Sequence, residues 1–550
     1  MTSGQTPFRR RLFYILVKFL RPLIPYLARW PWAWRLRAAM FHYGQDKQWL
    51  IHYGPAWGRP TARSSSPLAI VVDRRNSNPD ENKNLELLLA DLKPAPTVVI
   101  WLDGATTAAD VLDQLPDDVL ETGGAVIYLT GACRPAPHLT AHYAAALGGQ
   151  PQALLFYADE TQTNPNGETR LFAKPAWDPY YFARSAYVGH CFALRGNLFQ
   201  RTFRDLARSA SPPPYAQDLF QTAMIQIDDG YIGHIPVPLH DINSEHFATR
   251  PGPKEEWATL PKVSVIIPFR DRPDLLRPCL STLLATTCYP DWEIVLVDNG
   301  SRDSDITALL AGPLDARVRT IVHDVPFNFS VLVNLGVKAA SGDVVVLLNN
   351  DITVKEANWL KALASQAVRP EVGCVGAKLL YPNGLVQHGG VLLGEGLSLD
   401  GHPTPCHAHV GWSGDSEGYF GLLSSLRQVS AVTGAALAVR RKLYWELGGF
   451  DENLAVALND VDFCLKAGEQ GLPCLWTPGA VLTHHESASR KWDLASPAKM
   501  ERLRTEWAYM REKWGDKLAA DPWYSPNLSR ESSYELRVPP GPRQVRLISV

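Results

Sequence analysis

Four carboxylates, a pair of histidines and a pair of amides hold the chemistry this chain could do. Val344–Val345–Val346–Leu347–Leu348–Asn349–Asn350–Asp351 is an apolar run that stops at two amides and an acid. It is apolar on both faces, as a buried strand of a parallel sheet is. In open α/β sheets the ligand crevice lies just past the carboxyl ends of the strands. Asp351 therefore stands where a hard cation and a phosphate could meet. Glu293–Ile294–Val295–Leu296–Val297–Asp298 ends in the same way and runs into Asn299–Gly300–Ser301. Val263–Ser264–Val265–Ile266–Ile267–Pro268 leads to Arg270–Asp271–Arg272–Pro273, with a helix expected from about Asp274. Such strand ends suit a nucleotide, one acid bonding base or ribose and another holding a metal on a diphosphate. Asp-Asn-Gly-Ser is also an ordinary turn, so the argument rests on the strand ends taken together.

Further along stand Val432–Thr433–Gly434–Ala435, Gly448–Gly449–Phe450–Asp451–Glu452 and Asn459–Asp460–Val461–Asp462–Phe463. A helix starting near Asn459 puts Asp460 and Asp462 at its amino end, where the dipole favours ionised carboxylates. Their i,i+2 spacing puts them on different faces, so one of the two points into a site. Leu482–Thr483–His484–His485–Glu486–Ser487 follows a further strand. A neutral imidazole there can ligand a metal or contact a phosphate.

The elements that must position these residues recur in two halves. Thr97–Asp103 answers to Glu293–Asp298, and Gly124–Cys133 to Val344–Asp351. Each half has a Pro-Asn-Gly turn, at Pro165–Asn166–Gly167 and Pro382–Asn383–Gly384. Asp218 with the strand up to His240 answers to Asp460 with the strand up to His484. Strands alternating with helical stretches predict a mainly parallel α/β sheet in each half. At the position of Asp351 the first half has Ala132 and Cys133, and an alanine cannot ligand a metal. It keeps Asp159, Glu160 and Asp218, which leaves ligand binding there open.

At 550 residues the chain exceeds one core. The expected divisions are a basic amphipathic segment over 1–60, a degenerate domain over 61–255, the site-bearing domain over 261–490, and a helical tail over 491–550. A net charge of −2 gives no sign of a nucleic-acid partner. The eight cysteines form no CxxC pair, which argues against structural zinc or a disulfide framework and fits a reducing compartment. Cys464 and Cys474 are expected as buried small hydrophobes. From Phe8 to Phe41 eight basic residues and no acid alternate with Trp30, Trp32, Trp34 and aliphatics. That composition suits a helix lying in a bilayer interface, although Pro22, Pro25 and Pro31 break it into short pieces. No apolar run approaches the length of a membrane span.

Residues 261–490 resemble the inverting glycosyltransferases of family 2, which have the GT-A fold. The resemblance rests on Val263–Pro268, Val297–Ser301, Leu347–Asp351, Val432–Ala435, Gly448–Glu452, Asn459–Phe463 and His484–Glu486. Pro326–Phe327–Asn328–Phe329–Ser330 and His484–Arg490 are similar to the bacterial rhamnosyl and O-antigen transfer subgroup. The first half looks like a decayed domain of the same fold, giving two tandem GT-A-like domains. The resemblance implies that Pro268, Arg270, Asp298, Asn349 and Asn350 line the nucleotide-sugar pocket, with Thr433 and Gly434 bordering sugar or acceptor. It makes Asp351 a ligand of Mg2+ or Mn2+, with His484 or His485 completing that contact. It makes Asp460 the catalytic base, with Asp462 as the competing choice. Asn349 departs from the family's Asp-x-Asp, supplying an amide where the family has a charge. The implied donor is a dTDP-, UDP- or GDP-sugar, and the implied acceptor a glycan or lipid-linked hydroxyl at the inner face of the cell membrane. Two other readings stand beside this one. A non-catalytic sugar-nucleotide-binding or scaffold subunit of a polysaccharide-assembly complex is favoured by the missing acid at Ala132–Cys133 for the first half only, and Asp351 with Asp460 argues against it in the second. A nucleotidyltransferase is disfavoured because Arg270–Asp271–Arg272 lacks phosphate-loop glycines. No Gln-x-x-Arg-Trp follows the expected base, which speaks against a processive synthase.

Overall fold

The computed structural model describes residues 66–77, 79–121, 123–209, 215–227, 231–243, 260–397, 402–485, 496–529, 534–537, 541 and 543–549, with Asp46, Leu50 and Pro60. The basic stretch Phe8–Phe41, the linker near 251–256 and the run 486–490 lie outside the described residues.

Two α/β sheets form, one in each half. The first runs Val98–Leu102, Leu68–Asp73, Ala125–Thr130, Cys191–Arg195, Ala153–Thr163, Tyr231–Asn243, Arg546–Ser549. The second runs Val318–Val322, Trp292–Asp298, Val263–Phe269, Val344–Leu348, Ala436–Arg440, Cys374–Leu380, Cys474–His484, Ile352–Val354. Each sheet is parallel through its opening strands, then takes one antiparallel strand, Cys191–Arg195 or Ala436–Arg440, before a further parallel pair. These inserted strands are as apolar as their neighbours, so apolarity does not report their direction. Both Pro-Asn-Gly turns close hairpins, with Gly167 and Gly384 at φ 77° and 81°, where a side chain is disfavoured.

Burial explains why the strand ends matter. Every residue of Val344–Leu348 is buried, whereas Asn349 and Asn350 are half-exposed. Each buried Val or Leu contributes about 1.5–3 kcal/mol, which pins the strand and leaves the polar end at the sheet's edge. Helix Phe329–Ala339 packs on the sheet so closely that a Cβ at Gly336 would lie 2.2 Å from Ile266 Cγ2. Its amino end is capped by the Asn328 side chain, which accepts from Val331 N–H at 3.1 Å.

The halves share one apolar core. Tyr419, Phe420 and Leu422 of the second half belong to the same cluster as Phe172, Tyr181 and Trp177 of the first. The rings of Phe172 and Phe420 stack with centroids 4.1 Å apart. Tyr419 Oη accepts from Ala173 N–H at 3.0 Å, and Asp178 Oδ2 accepts from Gln428 N–H at 2.8 Å. The carboxyl-terminal stretch differs from the expected helical tail. After helix Pro497–Trp514 it returns to the first half, where Tyr524, Leu528 and Tyr534 enter the core and Arg546–Ser549 pairs with Tyr231–His234. Among the described residues no helix is long and apolar enough to cross a membrane.

Candidate functional site

Asp351 and His484 meet at the edge of the second sheet. Strand Ile352–Val354 pairs antiparallel with the end of Cys474–His484, Ile352 opposite His484. That register brings His484 Nε2 to 3.1 Å from Asp351 Oδ1, with both side chains nearly buried. Gln387 Oε1 stands 3.4 Å from His484 Nδ1 on the other side of the ring. His485 points elsewhere, because successive strand residues face opposite ways. Its Nε2 lies 3.0 Å from Thr353 Oγ1, and only its backbone N–H reaches Asp351, donating to the carbonyl at 2.9 Å. The structure thus brings the His484 side chain to Asp351 and the His485 side chain to Thr353. A carboxylate oxygen and an imidazole nitrogen converging at a strand end fit a divalent cation of the Mg2+ or Mn2+ kind. Asn349, two residues before Asp351, carries an amide and no charge.

Asp460 and Asp462 are divided by the rest of the fold. Helix Asn459–Glu469 is preceded by Leu458 at φ 65°, a left-handed conformation unusual for leucine. The loop before it is clamped by Glu506 of helix Pro497–Trp514, whose carboxylate accepts from Val456 N–H at 2.9 Å and Ala457 N–H at 3.1 Å. Asp460 turns towards the sheet, where Oδ2 accepts from Gly434 N–H at 2.8 Å and Oδ1 from Val461 N–H at 2.8 Å. It stays half-exposed. Asp462 is fully buried against the carboxyl-terminal helix, 2.7 Å from Lys513 Nζ, and accepts from the Trp514 indole at 2.8 Å. Asp462, expected as the competing choice of base, has its carboxylate enclosed by Lys513, Trp514 and Lys466.

Contacts between neighbours join the two acids into one rim. Asn349 N–H donates to the Ala435 carbonyl at 3.1 Å, and Gly434 donates to Asp460. Thr433 N–H lies 3.5 Å from His388 Nε2, and His388 follows Gln387, the partner of His484. His388 Nε2 accepts there, which leaves Nδ1 as the donor towards His407 Nδ1, 2.6 Å away. Burial, then His407, Arg427 and His484, push His388 well below the usual imidazole range, so the ring is neutral. Sequence reasoning missed Gln387, His388 and His407, which no motif sets apart.

The third strand end is built as a rigid turn. Asp298 is buried and accepts on Oδ1 from Ser301 N–H at 2.9 Å and Ser301 Oγ–H at 2.6 Å. Asn299 spans to the His323 and Val325 carbonyls at 2.9 Å each. After Pro268 and Phe269 the chain takes left-handed conformations at Asp271 and Arg272, φ 50° and 58°. Each such residue costs on the order of 1–3 kcal/mol. The loop is held because Asp271 Oδ1 accepts from Arg302 N–H at 2.6 Å and Asp303 N–H at 2.8 Å, while Ser301 Oγ accepts from Asp271 N–H at 2.8 Å. Arg270 is exposed and lies 3.9 Å from Asp271.

The first sheet has the same register without the donors. Cys133 pairs with Ile242 as Ile352 pairs with His484, so Ala132 stands for Asp351 and Ile242 for His484. His240, the expected counterpart of His484, lies two residues short. It belongs to a buried group in which Glu160 Oε2 is 2.7 Å from Lys174 Nζ and 3.1 Å from His240 Nε2. Burial raises the Glu160 carboxyl, but Lys174 and His240 outweigh it and hold it well below the usual range. Asp159 is engaged by His234 at 2.7 Å and by the Asn527 amide at 3.0 Å. Asp218 is exposed on helix Ala216–Ile225. The acids that left ligand binding open are thus spent on internal partners or face solvent.

A groove of about 870 Å3 lies elsewhere on the second half, lined in part by Asn334, Lys338, Trp445, Asp451 and Lys466. It contains none of the predicted site residues, and two of its charges are already paired, Asp451 with Lys513 and Lys466 with Asp462.

Residues 264–448 match the family model described as Glycosyl transferase family 2. The matched stretch carries Pro268, Arg270, Asp298, Asn349–Asp351 and Thr433–Gly434, and ends before Asp460 and His484. The chain is 35% identical over 437 residues to the O-antigen biosynthesis protein RfbC of Myxococcus xanthus, covering 72% of this chain and 33% of that protein. It is 39% identical over 330 residues to the uncharacterized protein y4gI of Sinorhizobium fredii, covering 59% and 35%. The chain spans about a third of the length of these two curated relatives. An N-acetylglucosaminyl-diphospho-decaprenol L-rhamnosyltransferase of Mycobacterium tuberculosis is 26% identical over 244 residues, covering 42% and 78%. Among solved structures, the mannosyltransferase PcManGT from Pyrobaculum calidifontis in complex with GDP-Man and Mn2+ overlaps with a TM-score of 0.34 at 18% identity, covering 47% of this chain and 68% of that one.

Proposed function

We propose that the chain is an inverting glycosyltransferase, moving a sugar from a dTDP-, UDP- or GDP-sugar to a hydroxyl of a lipid-linked or cell-surface polysaccharide acceptor. One observation carries the reading. The pair Asp351–His484 and the carboxylate of Asp460 border one rim, joined through Asn349, Ala435 and Gly434, inside or next to the family 2 match.

The chemistry follows from what each group can do. An acceptor hydroxyl must lose its proton as it attacks the anomeric carbon, so a carboxylate within hydrogen-bond reach acts as general base. Asp460 fills that role: two backbone N–H groups fix its orientation, and the carboxylate keeps lone pairs for the acceptor O–H. One displacement with one base inverts the anomeric centre. Asp298 and Pro268 form the nucleoside wall, and Arg270 is placed to offset phosphate charge. Asp351 and His484, with the Asn349 amide beside them, would hold a divalent Mg2+ or Mn2+, which when bound neutralises charge on the departing diphosphate. Thr433 and Gly434 border the sugar.

The first half serves as structure and not as a second catalytic centre, since Ala132 and Ile242 replace the donor pair. Its shared core holds the loop Tyr419–Gln428 of the second half. The basic segment over 1–60 docks the protein on an anionic membrane surface, to which each basic residue contributes on the order of 1 kcal/mol. The test of the whole reading is release of nucleoside diphosphate from a panel of nucleotide sugars, with vesicle sedimentation of the chain lacking 1–45 as the test of docking.

A further inference from the structure

Cys374, Cys464 and Cys474 come from a strand, a helix and a second strand, yet their sulfurs all lie within 4.8 Å of one another in the core. The two strands run parallel with Val375 opposite Leu475, which sets Cys374 beside Cys474. Helix Asn459–Glu469 lowers Cys464 onto the pair, and Cys474 Sγ–H donates to the Cys464 carbonyl at 3.7 Å. Among the described residues this is the group of three metal-type side chains that the fold draws together. No motif announces the group, because the three positions are separated by 90 and 10 residues and form no CxxC.

We propose that these three thiols form a buried site for a single soft cation, of the Cd2+ or Cu+ class, distinct from the hard-cation pair Asp351–His484. Thiolates select soft metals, whereas carboxylate and amide oxygens suit Mg2+ and Mn2+. Metal–sulfur bonds of about 2.3 Å set three sulfurs about 4 Å apart. The spacing found here closes to that with a shift of less than about an ångström. Binding is a ligand exchange: three S–H protons leave to solvent, three metal–sulfur bonds form, and nothing is oxidised. Val432 N–H points at Cys464 Sγ at 3.5 Å, the kind of backbone donor that steadies a bound thiolate.

The test is titration of the full chain with Cd2+ in excess Mg2+, following the ultraviolet thiolate-to-cadmium charge-transfer band. The wild type is expected to saturate at one equivalent. Cys464→Ser and Cys374→Ser are expected to lose the band, while Cys288→Ser and Cys406→Ser retain it. Because a core serine could impair folding, the wild type is also alkylated with and without one equivalent of Cd2+ during mild heating. Cadmium should protect Cys374, Cys464 and Cys474 together and leave the exposed Cys288 reactive. Absence of the band in wild type, its persistence in Cys464→Ser, or protection of other cysteines overturns the proposal.

Discussion

Asp462 accepts a 2.8 Å hydrogen bond from the Trp514 indole, a partner 52 residues away on the carboxyl-terminal helix. That bond, with Lys513 beside it, holds Asp462 inside the fold while the neighbouring Asp460 of helix Asn459–Glu469 stays half-exposed. Asp462→Asn removes the carboxylate beside Lys466 and leaves Lys513 with Asp451 alone. It is expected to destabilise the fold by about 2–4 kcal/mol. Urea unfolding measures this, and a variant as stable as wild type would show that the pair contributes nothing.

The two histidines separate in the same way. Asp351→Ala and His484→Ala are each expected to weaken the Mn2+-dependent binding of a nucleotide sugar by at least about 10-fold. His485→Ala, which removes a partner of Thr353, should leave it within about twofold. Calorimetric titration with and without Mn2+ distinguishes these outcomes. Equal losses at His484 and His485 would contradict the register argument.

Much of this was legible in the sequence, and the reason is physical. Strand ends at Asp298 and Asp351, the helix start near Asn459 and the two Pro-Asn-Gly turns are set by local apolar runs and turn residues. What stayed hidden depends on distant partners. Lys513 and Trp514 choose between Asp460 and Asp462, and Glu506 fixes the loop before them. The pairing of Ile352 with His484 decides between two adjacent histidines. Lys174 and His240 neutralise Glu160, which the sequence left available as a ligand.

The buried group of the first half gives a stability prediction. Lys174→Met leaves the Glu160 carboxylate short of its ammonium partner in the core, at an expected cost of about 3–5 kcal/mol. The double variant Glu160→Gln with Lys174→Met should recover part of that loss. Nucleotide-sugar binding should be unchanged in whatever fraction stays folded. Loss of donor affinity in the folded double variant would mean that the first half binds ligand after all.

The dock of the carboxyl-terminal helix predicts an acid response. Burial raises the Asp451 carboxyl, but the Tyr509 hydroxyl and the Lys513 ammonium outweigh it and hold it at about 2. A carboxyl depressed on folding stabilises fully above its unfolded value near about 4, and the contribution is lost as pH falls through about 2. Trp514 fluorescence during acid titration should therefore report undocking at higher pH in Lys513→Met than in wild type. Coincident titration curves would remove Lys513 from the account.

The central claim is that Asp460 is the base of a sugar-transfer site. The direct measurement is nucleoside diphosphate release by wild type and Asp460→Asn, supplied with Mn2+, dTDP-, UDP- and GDP-sugars and a lipid-linked acceptor fraction. Wild type is predicted to turn over at least one donor. Asp460→Asn is predicted to bind that donor normally and to transfer about 10²–10⁴-fold more slowly. Wild-type turnover by Asp460→Asn would contradict the assignment.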